Sequence, residues 1–293
     1  MGLGDVYKRQ LLTQLKSYGI DVFLNKDTLS VKTEKGQKVL YFKDRTTGEE
    51  ASVGADEILI APGIVPTTDL LHLENTDVTT DKRGYIETNE FLETAAEGIW
   101  ALGDVNGLAP FRHKANYEAE IIAHNLFSGE KPENWRWARY DVVPAVTYTY
   151  PETAHVGLTE KEALKAGYEA DIAYNHYSAS AKGYALGYLP DAPDDGFIKL
   201  VVDKKTKHLL GAHIVGHEAS ILIQPFINLL NAGEAKIAVR HEEIASSTAK
   251  ELRATGLSRN LLPQSVYTIG ETMTPHPSLQ EVTMWTRYYY EKK

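Results

Sequence analysis

Six residues near the C-terminus, His276-Pro277-Ser278-Leu279-Gln280-Glu281, have the types and spacing for proton transfer. Histidine is the one side chain whose unperturbed pKa lets it trade protons near neutral pH. It does so best when a carboxylate fixes its tautomer and stabilises the imidazolium. Pro277 suits the first turn of a helix, which sets His276 at the helix mouth and Glu281 about one turn further in. The carboxylate could then fold back onto the imidazole. The hexapeptide also reads as a proline-started helix whose histidine only caps it, and by itself it leaves both readings open.

The elements that must hold this base belong to a chain of 293 residues, enough for two domains with substantial cores. A formal net charge of −9 with no basic cluster argues against nucleic acid. No apolar run approaches the ~18 residues of a membrane span, and the N-terminus lacks the charged-then-apolar pattern of a secretory signal. The expected setting is the cytoplasm. There is no cysteine, so the chain holds no disulfide, thiolate nucleophile or zinc–sulfur site, and no metal site is assigned.

The first ten residues, MGLGDVYKRQ, resemble translated adapter sequence, and residues 1–10 are read as non-native. An amphipathic segment at 11–18 leads through Gly19 into an apolar strand at 20–24. Segments 29–33 and 38–43 alternate as a hairpin about Lys35-Gly36. Residues 57–61 form a short strand running into Pro62-Gly63. Another strand at 98–102 stops at Gly103-Asp104, and a helix follows over 111–127. Residues 132–139 read as a linker. Beyond it, strands at 142–149, 171–178, 196–202 and 208–215 alternate with a helix opened by Thr159 and an apolar helix at 217–231 that Pro225 should kink.

Several of these segments, in this order, resemble the pyridine nucleotide–disulfide oxidoreductases, the family of dihydrolipoamide dehydrogenase, glutathione reductase, mercuric reductase and mycothione reductase. Asp56 to Gly63 followed by Val65-Pro66 looks like the family's strand ending in Ala-Thr-Gly-Arg-x-Pro-Asn. Here Pro62, Ile64 and Thr67 stand for the threonine, arginine and asparagine. Gly63 would let the backbone approach a nucleotide. Gly98-Ile99-Trp100-Ala101-Leu102-Gly103-Asp104 resembles the second FAD motif, whose aspartate receives a ribityl hydroxyl. Pro110-Phe111-Arg112-His113 then sits where a helix N-terminus faces the flavin pyrimidine and its dipole favours the electron-rich edge of reduced flavin. Arg112 to Ala119, with Ala219-Ser220 and Gln224-Pro225, resembles mycothione reductase in particular.

The resemblance covers 11–293 and corresponds to the C-terminal part of a family member. It implies an α/β and α+β fold: the C-terminal parts of Rossmann-like NAD(P)- and FAD-binding domains at 11–78 and 79–137, then an α+β dimerisation domain with an antiparallel sheet at 138–293. It implies a homodimer that uses FAD and NAD(P) on a small-molecule disulfide or dithiol. His276 would be the catalytic acid/base and Glu281 its orienting partner. The first FAD glycine motif, the redox cysteine pair and the nicotinamide glycine motif are expected upstream of this chain, which alone would not turn over. Thr274 stands where dihydrolipoamide dehydrogenases carry another histidine. The stretch from Gly216 to His276 is longer than in the family, the excess lying in 234–272, with 234–253 expected to be helical. A mercuric reductase, disfavoured by the absence of C-terminal cysteines, and a non-catalytic dimerisation module are the alternatives.

Overall fold

The computed structural model describes residues 4–192, 194–262 and 266–278. Leu11–Ile64 forms one compact unit and the chain from Val65 onward belongs to the other. Helix α1 (Gly4–Ser17) begins inside the first ten residues rather than at Leu11. In the smaller unit, β1 (Lys26–Glu34), β2 (Gln37–Asp44) and β3 (Glu50–Ala55) form an antiparallel sheet in the order β1-β2-β3. Glu34 pairs with Gln37 across Lys35-Gly36, whose φ angles of 49° and 86° are those a tight two-residue hairpin turn demands.

The strands expected at 20–24 and 57–61 are irregular, and Leu59 and Ile60 are 92% and 77% exposed. An apolar run becomes a strand only when a neighbour takes its backbone hydrogen bonds. Among the described residues neither run has such a neighbour. The strand expected at 98–102 likewise reduces to a single bridge, Glu93 to Trp100.

In the larger unit, helix α2 (Arg112–Phe127) lies as the sequence predicts. Residues 132–139 do not form a free linker. Arg136, Trp137 and Ala138 are buried, because Trp137 packs with Phe91, Ala249 and Leu252. A five-stranded antiparallel sheet follows, built from β4 (Ala145–Thr147), β5 (Thr153–Gly157), β6 (Ala170–His176), β7 (Phe197–Asp203) and β8 (Leu209–Val215) in the order β4-β5-β8-β7-β6. Helix α3 (Glu160–Lys165) starts with a reciprocal capping box between Thr159 and Glu162. A short helix, α4 (Ala181–Ala185), follows β6.

The apolar segment after β8 is broken at Ile223 into α5 (Ala219–Leu222) and α6 (Gln224–Asn231). Pro225 has no N–H to continue the first helix. The two helices lay Ala219, Ile223 and Ile227 on Ala154, Val156, Ala212 and Ile214 of the sheet.

Residues 234–253 are not one helix. β9 (Gly233–Lys236) pairs antiparallel with β10 (Ser258–Leu261), and between them α7 (Ser247–Ala254) starts at Ser246, whose hydroxyl caps the Ala249 N–H. A serine that caps from outside favours a helix start over helix continuation, which explains the shortened element.

The opposite face of the sheet carries His213 (6% exposed), Lys199 and His155 on neighbouring strands, with Glu160 3.4 Å from Lys199. Burial, opposed by the bond between its Nε2 and the Leu158 carbonyl at 3.2 Å, pulls His213 down to about 4 from 6.5. A depressed folded pKa means the unfolded chain takes up a proton where the native one does not. The contribution is therefore complete above pH 6.5 and lost as pH falls toward 4. Across that window the loss is about 3 kcal/mol. Urea unfolding followed by tryptophan emission should show wild type weakening over this range, with His213→Leu flattening that part of the slope.

Candidate functional site

Asp104 sits on a single 3₁₀ turn, Gly103–Asn106, that leaves the extended residue Leu102 and closes at Gly107. Gly107 has φ +68°, and a Cβ there would meet the Tyr85 ring at 2.5 Å, so the turn can close only on glycine. The Asp104 side chain is exposed and accepts no hydrogen bond from the described residues. A carboxylate held out on a rigid turn is suited to a sugar-alcohol hydroxyl.

Helix α2 starts five residues beyond that turn. Phe111, its N-cap, is extended and offers no side-chain cap, and no acidic residue lies in the first turn. The positive end of a helix of 16 residues is thus neutralised by no side chain of its own. Pro110 and Arg112 are exposed at this end. Phe111 stacks on His113 at 5.1 Å, and the buried His113 ring turns its Nε2 to the Pro144 carbonyl at 2.9 Å. The His113 side chain is thus engaged in packing, while its backbone N–H belongs to the helix start.

The turn and the helix are locked together by a wholly buried ion pair. Lys114 and Glu118, one helical turn apart, both have no exposed side-chain surface, and their charged atoms are 3.1 Å apart. The Lys114 ammonium donates to the Gly103 carbonyl and the Asn106 amide oxygen, both at 2.7 Å. Glu118 accepts from the Gly103 N–H at 2.6 Å and from the Asn106 amide at 2.9 Å, and Tyr140 donates its hydroxyl to the same carboxylate. Burial pushes the Lys114 ammonium down from its ordinary value, and the Glu118 charge opposes that shift. Burial and then the Glu118 charge push the Tyr140 phenol well up, so it remains a donor.

His276 is half-buried at the end of a buried run, Thr272 to Pro275. Met273 packs with Leu92, Tyr117, Ile121 and Ala138, so the segment is pinned to α2. Ser278 lies 3.5 Å from the Ser220 carbonyl at the start of α5. The His276–Pro277 bond is cis, residues 276–277 bend, and no helix starts at Pro277 as the sequence expected. Glu281 lies outside the described residues. Gly63 belongs to the smaller unit, with φ +110° and open space where a Cβ would lie.

The family model described as pyridine nucleotide-disulphide oxidoreductase matches residues 2–139, and the model for that family's dimerisation domain matches 143–254. The chain belongs to this family. Mycothione reductase of Mycobacterium tuberculosis is 36% identical over 62% of this chain and 39% of its own length. Dihydrolipoyl dehydrogenase of Thermus scotoductus is 35% identical over 89% of this chain and 50% of its own. The chain thus spans half or less of these curated relatives. Among solved structures, the flavoprotein disulfide reductase RclA of Escherichia coli shares the fold at a TM-score of 0.64 and 22% identity, over 96% of this chain and 54% of that one.

Within this oxidoreductase fold, sequence reasoning placed Asp104 and the start of α2 but assigned Lys114 and Glu118 only to packing. Their signal was a Lys–Glu pair at i,i+4 on a helix whose other faces read as buried. Replacing Lys114 by methionine strands a buried carboxylate, which costs about 3–5 kcal/mol. Lys114→Met should therefore unfold at much lower denaturant in a tryptophan-monitored titration, and Lys114→Met/Glu118→Leu should stay well below wild type, because the Gly103 N–H, the Asn106 amide and the Tyr140 hydroxyl lose their acceptor. Equal stability of the single variant and wild type would contradict the buried pair.

Proposed function

We propose that this chain supplies part of the flavin site and the proton-handling histidine of an FAD-dependent NAD(P)H:disulfide oxidoreductase. Asp104 carries this reading: an exposed carboxylate with no hydrogen-bonding partner among the described residues, on a turn fixed by buried charges, beside an uncapped helix N-terminus. These groups fit the sugar-alcohol and pyrimidine ends of FAD. Asp104 would accept a ribityl hydroxyl, and the N–H groups at Arg112 and His113 would direct partial positive charge at the pyrimidine edge. Bound FAD supplies the two-electron chemistry between nicotinamide and sulfur. His276 would hold or release the proton that accompanies thiol–disulfide interconversion, with Glu281 orienting it.

Because the chain has no cysteine, both sulfurs must come from outside these 293 residues. The dimerisation-domain match over 143–254 supports a homodimer, with each His276 serving a site completed by the partner. The names of the relatives favour a small-molecule disulfide or dithiol as substrate. The formal net charge of −9 speaks against nucleic acid. No described helix is long and apolar enough to cross a membrane; a cytoplasmic setting is a separate part of the proposal.

Titrating FAD, while following flavin fluorescence, into this chain completed by the upstream sequence that carries the first FAD glycine motif tests the reading. Asp104→Ala should weaken binding by about tenfold or more, the worth of a hydrogen bond to a charged group. Equal affinity of the variant and wild type would sink it. In any preparation that oxidises NADH with a disulfide, His276→Gln should lower kcat by about 10²–10⁴; an unchanged kcat would remove His276 from the mechanism.

A further inference from the structure

The segment 233–262 is bound to the residues around 88–93 by buried polar ties. Ala249 and Leu252 of α7 pack with Phe91 and Trp137. The wholly buried Glu90 receives Arg253 at 2.6 Å and the Arg240 N–H at 3.1 Å. Arg253 also donates to the Arg240 carbonyl at 3.0 Å, and the Arg240 guanidinium donates to the Thr88 carbonyl at 3.1 Å. Arg240 is thereby fixed through its N–H, its carbonyl and its side chain. Its guanidinium carbon lies 4.8 Å from the Tyr140 ring centroid, a distance at which a cation holds an aromatic face.

Tyr140 in turn donates to Glu118, whose other oxygen accepts the Gly103 N–H. The remaining donors to Glu118 among the described residues, Gly103, Asn106 and Lys114, belong to the turn or to α2 itself. Tyr140 is the one that reaches it from elsewhere. We infer that segment 233–262 braces the Asp104 turn through Arg240, Tyr140 and Glu118, making Arg240 and Tyr140 positioning residues for the Asp104 carboxylate. The consequence for flavin affinity rests on the reading of Asp104 given above; the mechanical brace does not.

Hydrogen exchange on the full chain separates the two. Tyr140→Phe keeps the ring and removes only the hydroxyl, and Arg240→Met removes the cation. Tyr140→Phe should speed exchange of the amides of residues 103–107 by about tenfold, the effect of losing one bond to a charged acceptor, and Arg240→Met should speed it several-fold, the effect of losing the cation over the ring. Amides of β7 and β8 should stay at wild-type rates. Tyr117→Phe is the comparator, since its hydroxyl meets the Trp137 carbonyl at 3.3 Å and not Glu118; it should leave the turn unchanged.

Unchanged exchange at 103–107 in either Tyr140→Phe or Arg240→Met, or an equal rise in Tyr117→Phe, overturns the brace. The same substitutions are then titrated with FAD in the chain completed by its upstream sequence. A faster turn in both variants with equal FAD affinity of Asp104→Ala and wild type keeps the brace and discards the flavin reading. Weakened FAD binding in Asp104→Ala with an unmoved turn in Tyr140→Phe does the reverse. If both stand, Tyr140→Phe should weaken FAD binding several-fold.

Discussion

The buried pair of Lys114 and Glu118 is the constraint on which the candidate site depends. Two charges taken wholly out of water are tolerable only when every donor and acceptor around them is satisfied. Here the groups that satisfy them are the backbone of Gly103, the amide of Asn106 and the hydroxyl of Tyr140. The turn carrying Asp104 therefore keeps its geometry as long as the pair stays buried. Turn and helix cannot separate without exposing an unpaired charge to an apolar interior.

Helix α2 links the two halves of the chemistry. Its first turn presents N–H groups beside the Asp104 turn, and its middle, at Tyr117 and Ile121, receives Met273 from the run that ends at His276. Both candidate groups are referred to one rigid element rather than to independent loops. A site whose parts share a helix keeps their spacing through thermal motion better than one assembled from loops.

Much of this was legible in sequence. The hairpin at Lys35-Gly36, the capping box at Thr159, the break before Pro225 and the span of α2 follow from local chemistry, in which a few adjacent residues decide the backbone. What could not be read depended on partners distant in sequence. Apolar runs at 20–24 and 57–61 look like strands, yet strand formation needs a neighbour that no local pattern supplies. Arg136 to Ala138 read as linker because the residues that bury them, such as Ala249 and Leu252, lie more than a hundred positions away. Lys114 and Glu118 read only as packing residues of the helix, since their partners, the Gly103 backbone, Asn106 and Tyr140, lie outside the local pattern.

The unit of residues 11–64 differs from the rest in how it is held. Gln14 and Phe42 are its only buried side chains among the described residues, and Phe42 is flanked by Phe23 at 5.5 Å and Lys26 at 5.8 Å. A three-stranded sheet with so little interior sits near the lower limit of independent stability, whereas the larger unit has three apolar clusters. All four tryptophans lie beyond residue 64. Emission from them is therefore blind to melting of the small sheet, while far-ultraviolet circular dichroism registers both units. The two probes will trace different curves, and no single midpoint describes the folding equilibrium of this chain.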